Sequence, residues 1–316
     1  MRALVVGDVH VKTSNIALIQ QLNKWICSLV VSESPDVVIL LGDILDYHEK
    51  VLIPCLNTAY DMIRSIAELV PVYVLVGNHD YISNMQFMTD CHWMNAMKAW
   101  TNVMIVDKAI MREMNGETVV LCPYLPPGRF NDALATLDGA SRADVIFCHQ
   151  EFRGADLGVV KSIVGDVYDL GALCVSGHIH DNQTIGRVYY VGAPLQHAFG
   201  EKDKRVVCIV DNKAVREISV PFGRKKSVLL AFDEASAFKP EPGTDTRVIL
   251  SGTVSECKAF KKTSKFKELC KHAKVVFRTE AYVATKDGDA RKTFASTCKE
   301  HIGANDALLD LFQSLL

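Results

Sequence analysis

The sequence contains no long hydrophobic segment and no signal-peptide pattern. Apolar runs such as residues 37–41 and 228–232 stop at five residues, whereas a membrane-spanning helix needs about 20. The first eight residues turn polar after one short strand-like run, without the apolar stretch and cleavage site of a secretory leader. These absences predict a cytoplasmic protein that stays inside its cell and has no membrane partner.

Closely spaced cysteine pairs are also missing. The ten cysteines include no Cys-x-x-Cys pair, and the closest two are Cys257 and Cys270. This spacing excludes a zinc ribbon. Most of the cysteines lie in apolar runs, where a reduced thiol packs like a small hydrophobic side chain, so we expect all ten to be structural.

The composition is that of a globular protein, with 49% hydrophobic and 23% charged residues. A chain of 316 residues has room for about two domains. Residues 1–221 hold 18 basic and 25 acidic side chains, a balance of −7, and residues 222–316 hold 17 and 12, a balance of +5. Because the composition shifts near residues 221–226, we predict an acidic domain over residues 1–225 and a small basic cap over residues 226–316.

Short runs rich in Val, Leu and Ile alternate with amphipathic helices in the first 80 residues. Residues 2–6, 37–41 and 72–76 have the pattern of strands buried on both faces. Between them, residues 15–31 and 51–69 repeat apolar side chains at helical spacing. This β-α-β-α-β order predicts an α/β fold with a parallel sheet.

Further strand-like runs follow along the chain. Asn115-Gly116 indicates a hairpin turn, and the last three runs before residue 221 are interpreted as antiparallel strands with a turn at Asp211-Asn212. In the tail, strands on either side of one lysine-rich helix over residues 255–272 predict a β-α-β unit, and residues 291–316 are interpreted as one or two helices. The strand-like runs are residues 104–106, 110–113, 118–122, 145–149, 173–176, 188–191, 206–210 and 214–220, and in the tail 228–232, 248–250 and 275–277.

Side chains that commonly bind metals follow several of these strands. The carboxyl ends of strands form the ligand crevice of an α/β sheet, so these side chains can converge although they are spread over about 170 positions. Glycines precede three of them and would permit tight turns. The side chains are Asp8 and His10 after the first strand, Asp43 after the second, Asn78, His79 and Asp80 after the third, His149 at the end of a later strand, and His178 and His180 after another.

This set mixes nitrogen and oxygen ligands and contains no thiolate. Such a set suits manganese, iron or zinc better than calcium, which prefers oxygen alone. The number of ligands indicates two ions, and two ions about 3.5 to 4 Å apart can activate water and neutralise charge on a phosphate. The sequence therefore predicts phosphoester hydrolysis.

The same residues resemble, in order, the five motifs of the calcineurin-like metallophosphoesterases. The resemblance covers residues 1 to about 225 and implies a two-layer β-sandwich core flanked by helices, with the small C-terminal β-α-β cap beyond it. It implies two divalent metal ions, with manganese expected and iron, zinc or magnesium as alternatives, and it makes His79 the catalytic acid. It further implies that Asp8, His10 and His180 hold one ion, that Asn78, His149 and His178 hold the other, and that Asp43 bridges them.

Two stretches narrow the resemblance. Residues 42–46 resemble the second motif of the bacterial SbcD-type repair nucleases, and residues 190–201 resemble the Gly-Ser-Pro…Phe-x-Glu stretch that closes the core of SbcD and of related phage recombination endonucleases. Ala193 replaces the usual Ser, and His197 stands where an apolar residue is common. The resemblance implies a DNA nuclease of recombination, repair or replication, whose partners would be DNA, a coiled-coil ATPase of the SbcC type and a second copy in a homodimer.

Some residues near the site keep two interpretations. Asp46 either caps the following segment or orients His79, and we assign it to the catalytic site as an orienting carboxylate. His48, Glu49 and Lys50 either face the substrate or form a solvated loop. The role of His197 is left open.

The tail also keeps two interpretations. Lys258, Lys261, Lys262 and Lys265 are candidate DNA contacts, with a solvated helix face as the alternative. The apolar segment 308–316 either packs on its own domain or docks on the ATPase.

For the whole protein, the alternatives are a phosphoesterase of the same fold acting on a nucleotide, a cap or a phosphoprotein, and a non-catalytic binding scaffold.

Overall fold

The structure, a computed structural model, describes residues 1–48, 50–158 and 160–279. Two six-stranded sheets pack face to face, and a three-stranded sheet follows at the end of the described chain. This arrangement confirms the predicted α/β fold with a two-layer core. The helices predicted within residues 291–316 and the prediction for Glu49 lie outside the described residues.

The first sheet joins the three parallel strands predicted at the start of the chain to two antiparallel strands from residues 206–219. Almost every residue of the central strands is buried, because the sheet is covered on both faces. In spatial order the strands are β12 (Ala214–Ser219), β11 (Val206–Asp211), β1 (Arg2–Val6), β2 (Val37–Leu40), β3 (Val72–Leu75) and β4 (Val103–Val106).

Two helices cover the outer face of the first sheet. They are α1 (Ile16–Glu33) and α2 (Ile53–Ala67), within two residues of the predicted bounds at each end. Their apolar stripes pack against the outward side chains of the sheet in one continuous core. Pro54 lies in the first turn of α2, where its missing N–H costs no helical hydrogen bond, and the helix begins at Ile53 rather than at residue 51. Within the described chain, no helix is both long and apolar enough to cross a membrane.

The second sheet begins with the predicted hairpin. Asn115 (φ 49°) and Gly116 (φ 79°) both have positive φ, as a two-residue hairpin turn requires. A short flanking helix, α3 (Phe130–Leu134), packs on this sheet. In spatial order the strands are β5 (Ile110–Met114), β6 (Glu117–Cys122), β7 (Val145–Cys148), β8 (Leu173–Ser176), β10 (Val188–Tyr190) and β9 (Gln183–Ile185).

Three details of this region differ from the sequence-based prediction. β10 pairs in parallel with β8 and so belongs to the second sheet, not beside β11 and β12. β9 was not predicted, because three half-exposed residues give no periodic signal. The turn between β11 and β12 lies at Asn212-Lys213, the two residues with positive φ, one position later than expected.

The third sheet contains three parallel strands, β13 (Arg224–Leu230), β14 (Thr244–Gly252) and β15 (Lys274–Thr279). The single helix predicted over residues 255–272 is wrong: the chain forms α4 (Val254–Lys261) and α5 (Ser264–His272). The hydroxyl oxygen of Thr263 accepts a hydrogen bond from the Phe266 N–H (3.2 Å), so it caps a second helix and ends the first. The domain boundary at residue 225 stays a prediction.

The two large sheets approach so closely at one end that glycine is required. A Cβ atom on Gly7, at the end of β1, would lie 2.1 Å from the carbonyl oxygen of Gly192, which follows β10. This contact ties the last residue before Asp8 to the chain leaving the second sheet. The sheets therefore meet most tightly beside the residues that the sequence marked as metal ligands.

Gly7→Ala should lower the free energy of unfolding by about 3 kcal/mol, because the methyl group must displace a backbone oxygen rather than a flexible side chain. Gly171→Ala is the matched control, since a Cβ there meets nothing within 4 Å and should leave stability nearly unchanged. Urea unfolding of both variants checks this. Equal midpoints would contradict the close approach of the two sheets.

Candidate dinuclear metal site

The seven predicted ligands meet at the edge where the carboxyl ends of strands from both large sheets converge. Strands β1, β2 and β3 of the first sheet and β7 and β8 of the second supply them. Most are buried, with Asp8 and His149 at 0% exposed. Of the seven, Asp8, His10, Asp43, Asn78 and His149 are buried, and His178 and His180 are partly buried.

Asp43 lies at the centre of this cluster. Its Oδ2 is 3.3 Å from His149 Nε2 and 3.5 Å from His10 Nε2, and its Oδ1 accepts a hydrogen bond of 2.8 Å from the His79 N–H. Asp43 has a φ of 49°, and the preceding Gly42 has a φ of 108°, so the chain turns sharply after β2. Burial opposes ionisation, yet the facing His149 and His10 hold the pKa of Asp43 well below its usual range.

Ligand-type atoms gather into neighbouring groups on either side of Asp43. On one side His10, His180 and His197 each offer a ring nitrogen, and these nitrogens lie within 4.8 Å of one another. On the other side Asp43 itself forms such a group with His149 and His178. Asp43 belongs to a third overlapping group with His10 and His79. Asp43 thus shares one group with His149 and His178 and another with His10, and its role as a bridge between two ions stays a prediction.

Several ligand-type atoms of the site face one another, so a proton or a metal ion must lie between them. His149 Nδ1 lies 2.8 Å from the Leu41 carbonyl oxygen and donates to it, so in the neutral ring Nε2 carries a lone pair. That lone pair faces Asn78 Oδ1 at 3.0 Å, and His178 Nδ1 lies 2.9 Å from the same oxygen. Facing lone pairs repel unless a proton or a metal ion lies between them. The buried Asp8 Oδ2 also has no hydrogen-bond partner among the described residues.

Asp8, predicted to hold one ion, contacts two residues predicted to hold the other. Its Oδ1 accepts a hydrogen bond of 3.1 Å from the His178 N–H and lies 3.5 Å from His149 Nδ1. His10 Nε2 and His180 Nε2, its predicted co-ligands, are 3.1 Å apart. The structure thus brings all seven predicted ligands together, and their division between two ions stays a prediction.

His79 lies at the edge of the cluster, where a catalytic acid could reach a substrate. Its Nδ1 is 2.8 Å from the Asp46 main-chain carbonyl oxygen, which leaves Nε2 for other contacts. Burial and the positive charges of neighbouring histidines lower the pKa of His79, and the Asp43 carboxylate only partly offsets this. A lowered pKa makes the protonated ring a stronger acid and, at the same time, decreases the fraction of His79 that is protonated at neutral pH.

The predicted role of the Asp46 carboxylate needs a correction. The side chain that we expected to orient His79 points instead to His10 Nδ1 and Lys12 Nζ, each 3.3 Å from Asp46 Oδ1. Although partial burial opposes it, these contacts lower the pKa of Asp46 to about 2. Asp46 therefore positions His79 through its backbone and His10 through its carboxylate, because the positive φ of Asp43 turns the loop before it.

Asp80 holds the loops after β2 and β3 together, a role that the sequence did not indicate. Its carboxylate accepts hydrogen bonds from the backbone N–H groups of Ile44, Leu45 and Gly77 and from the Trp93 indole (2.9 Å). Burial and the nearby Asp43 raise the pKa of Asp80 to about 6, so the carboxylate is ionised at neutral pH. The partners come from distant segments, and only the neighbouring Asn78 and His79 hinted at the position.

His197, left open by the sequence, joins the group around His10. Its ring centroid is 4.8 Å from that of His10 and 5.1 Å from that of His180, and its Nε2 is 3.3 Å from the Asp8 carbonyl oxygen. Burial and the nearby charged groups lower the pKa of His197 to about 2, so the ring is neutral and can offer a lone pair. In the sequence, His197 was notable only because it stands where an apolar residue is common in the SbcD-type stretch.

A buried arginine holds the loop that carries His197. Arg205 is 1% exposed and donates to the His180 carbonyl oxygen (2.7 Å) and to a Glu201 carboxylate oxygen (3.0 Å). The Glu201 carboxylate in turn accepts hydrogen bonds from the N–H groups of His197 and Ala198 (3.0 Å each). One guanidinium thus links the loop of His197 to the loop of His180.

The four predicted DNA-contacting lysines lie away from this cluster. Lys258 and Lys261 are on α4, Lys262 caps its C-terminus and Lys265 is on α5. All four are exposed, and the Lys261 ammonium lies 4.7 Å from the Phe277 ring centre. Among the described residues, no hydrogen bond or ion pair joins these lysines to the metal-ligand cluster.

Comparisons with known proteins point to one family. A family model described as Calcineurin-like phosphoesterase matches residues 1–182. The chain is 37% identical over 279 residues to "Putative phosphoesterase 078R" of Invertebrate iridescent virus 3, covering 84% of this chain and 80% of that protein. It is 34% identical over 275 residues to "Putative phosphoesterase 244L" of Invertebrate iridescent virus 6, covering 83% of this chain and 97% of that protein.

Among solved structures, the phosphoesterase Yfce from E. coli matches with a TM-score of 0.38 and 11% identity, covering 70% of this chain and 94% of that chain. A likeness at that level carries no argument about function.

Metal affinity should rise with pH. In the metal-free protein burial opposes protonation of His149, but the Asp43 and Asp8 carboxylates outweigh it and raise the pKa of His149 to about 9. A divalent ion must displace this proton, so Mn²⁺ affinity should increase about tenfold per pH unit from about pH 7 and level off above about pH 9. Calorimetric titration in buffers of different ionisation enthalpy measures both the affinity and the protons released.

The comparison for this prediction uses two histidine variants. His149→Asn removes the competing proton and should release fewer protons on Mn²⁺ binding. His272→Asn, at a side chain 60% exposed on α5, should keep the wild-type slope. A wild-type affinity that does not change between about pH 7 and about pH 8.5 would contradict the protonation of the site.

Proposed function

The chain belongs to the calcineurin-like phosphoesterase family, and from that premise we propose that it is a dinuclear-metal phosphodiesterase that hydrolyses DNA. Phosphoester hydrolysis is the activity of the family, and calcineurin-like phosphoesterases bind divalent metals. What we propose beyond the family's activity is that the substrate is DNA and that the protein acts in recombination, repair or replication.

The site residues support a two-ion centre with manganese as the metal. Five histidines, two aspartates and an asparagine supply imidazole nitrogens and oxygens without a thiolate, a mixture that suits Mn²⁺. When bound, two divalent ions supply an activated water and offset the negative charge of the phosphate. The residues that would hold them are Asp8, His10, Asp43, Asn78, His149, His178, His180 and His197.

His79 supports a substrate with a poor leaving group. The carbonyl of Asp46 accepts its Nδ1–H, so Nε2 is the atom that can carry a proton to a departing oxygen. A sugar oxygen leaves as a strongly basic alkoxide and needs that proton, whereas a phenol leaves without one. An acid at this position is therefore most useful for a phosphodiester of a sugar alcohol, as in a nucleic acid.

The observation that carries the DNA proposal is the contact between the basic third sheet and the site loop 196–201. The Lys225 N–H donates to Gln196 Oε1 (2.6 Å), and the Arg247 guanidinium lies 4.7 Å from the Phe199 ring centre. Residues 222–279 hold 13 Lys and Arg against 6 Asp and Glu, a balance of +7. A positive surface that begins at the edge of the site suits a polyanion longer than one nucleotide.

The resemblance of residues 42–46 and 190–201 to SbcD-type nucleases is consistent with this proposal. It extends to a coiled-coil ATPase partner and a homodimer, for which the apolar segment 308–316 would be the docking element; that segment lies outside the described residues. A binding scaffold without activity is disfavoured, because each predicted ligand position carries a residue able to bind metal.

With Mn²⁺ the wild-type protein should cut single- or double-stranded DNA as well as the generic diester bis(p-nitrophenyl) phosphate. His79→Asn should keep its bound metal, measured by elemental analysis, and lose DNA hydrolysis by about 100-fold or more. The loss should be smaller on the generic diester, whose phenolate leaves without protonation.

Two results would contradict this scheme. If the protein hydrolysed the generic diester but cleaved no DNA, the substrate would instead be a nucleotide, a cap or a phosphoprotein. Wild-type DNA cleavage by His79→Asn would remove the acid role from His79.

Neutralising the exposed lysines of α4 and α5 should weaken DNA binding and its salt dependence. Each lost phosphate contact lowers the slope of log affinity against log salt by about 0.9 for duplex DNA. The variant replaces Lys258, Lys261, Lys262 and Lys265 with Gln, and the matched control replaces the exposed Lys24, Lys108, Arg112 and Lys161 with Gln. Equal slopes for variant and control would show that the four lysines form a solvated helix face and do not contact DNA.

A further inference from the structure

A cavity of about 450 Å³ lies between the loops that follow β2 and β3 and is lined in part by His48, whose ring contacts His79. Its volume is within the range of about 300 to 1,000 Å³ typical of small-molecule sites. The loop after β2 contributes an aromatic, an imidazole and a basic side chain, and the loop after β3 contributes an apolar and two polar ones. The lining residues are Tyr47, His48, Lys50, Ile82, Ser83 and Asn84.

His48 connects this cavity to the catalytic acid. Its ring stacks on His79 with the centroids 4.4 Å apart and the planes at 21°. His48 Nδ1 is buried and has no hydrogen-bond partner among the described residues. The wall of the cavity is therefore continuous with the face of the ring that would protonate the leaving oxygen.

The position beside His79 selects the leaving group as the occupant. In an in-line displacement the leaving oxygen departs on the side opposite the attacking water, and the acid must lie within hydrogen-bond reach of it. The group bonded to that oxygen must then lie near His79, and the cavity lined by its stacking partner His48 is positioned to receive it. A second cavity of about 470 Å³, beside His178 and His180, does not include His79 in its lining, and its carboxylates Asp156, Asp181 and Glu201 form ion pairs with Lys202 and Arg205.

The lining fits a flat, partly apolar ring. Tyr47 and Ile82 are each 51% exposed, so their apolar surfaces are open to a ligand in the cavity. Aromatic side chains bind nucleobases by stacking, which tolerates any base because each one has a π face. Lys50, Ser83 and Asn84 add a cation and hydrogen-bonding groups at the rim.

We propose that this cavity binds the base of the nucleotide that leaves during hydrolysis. The inference rests on the proposed nuclease function and deepens it. It makes Tyr47, His48 and Ile82 determinants of substrate selectivity. It also requires the leaving nucleotide to be unstacked from its neighbours, so single-stranded or frayed ends would be preferred over a closed duplex.

Three dinucleotides test the proposal in the Mn²⁺-loaded full-length protein. Thymidylyl-thymidine carries both bases, and the two others replace one or the other base with an abasic tetrahydrofuran. Loss of the base on the leaving side should lower kcat/KM about tenfold, and loss of the base on the other side should have a smaller effect. Identical kcat/KM for the three would overturn the cavity proposal.

Variants locate the selectivity in this cavity. Tyr47→Ala and Ile82→Ala should each bring the ratio of kcat/KM with and without the leaving base close to one, whereas Tyr47→Phe should retain the ratio. Val31→Ala, at a side chain 70% exposed on α1, is the matched control and should retain the ratio. Wild-type ratios in both alanine variants would also overturn the proposal.

A binding measurement separates this inference from the nuclease proposal. In the His79→Asn background, a dinucleotide with 2-aminopurine as the base on the leaving side should lose fluorescence on binding, and Tyr47→Ala should abolish most of that quenching. Quenching that depends on Tyr47 supports the cavity even if turnover is slow. Cleavage of DNA without such quenching would overturn the cavity while leaving the nuclease function in place.

Discussion

The site depends on how closely the strand ends approach one another, both within the first sheet and between the two sheets. A Cβ on Gly77 would lie 2.2 Å from the Asp43 backbone nitrogen, and a Cβ on Gly177 would lie 2.7 Å from Asp8 Oδ1. Neither glycine has positive φ, so their contribution is space rather than a special turn. With a side chain at either position, the segments that carry the ligands would have to separate. The convergence of ligands from strands of different sheets follows from this absence of side chains.

Once the strand ends are in place, buried charged side chains fix the loops that extend from them. Asp80 receives N–H groups from both loops on the first sheet, and Arg205 ties the loop of His197 to that of His180. A buried charge is stable only when it is paired and hydrogen-bonded, so each of these groups constrains several partners at once. Asp46 contacts two histidines of the cluster: its carboxylate faces His10, and its main-chain carbonyl accepts a hydrogen bond from His79.

The acidic two-sheet core and the basic third sheet carry opposite charge, and both reach the site. Carboxylates and imidazoles converge at the edge of the two-sheet core, where cations would satisfy their facing lone pairs. The basic third sheet reaches this edge through Phe199 and Gln196, on the loop that also holds His197. A negatively charged polymer would meet bound cations and a positive surface along one continuous path. The near-neutral total charge of −2 conceals this arrangement.

The sequence by itself determined the parallel strands, the two outer helices, the hairpin at Asn115-Gly116 and the set of candidate ligand residues. Each of these depends on local patterns: buried β-branched runs, helical periodicity, a turn dipeptide and polar side chains directly after strands. Tertiary structure alone decided which sheet β10 joins, where the tail helix breaks, and which atoms touch in the site. The Asp46 carboxylate and Asp80 illustrate why tertiary structure was needed. The direction of each side chain depends on partners from distant segments, and the local sequence does not indicate those partners.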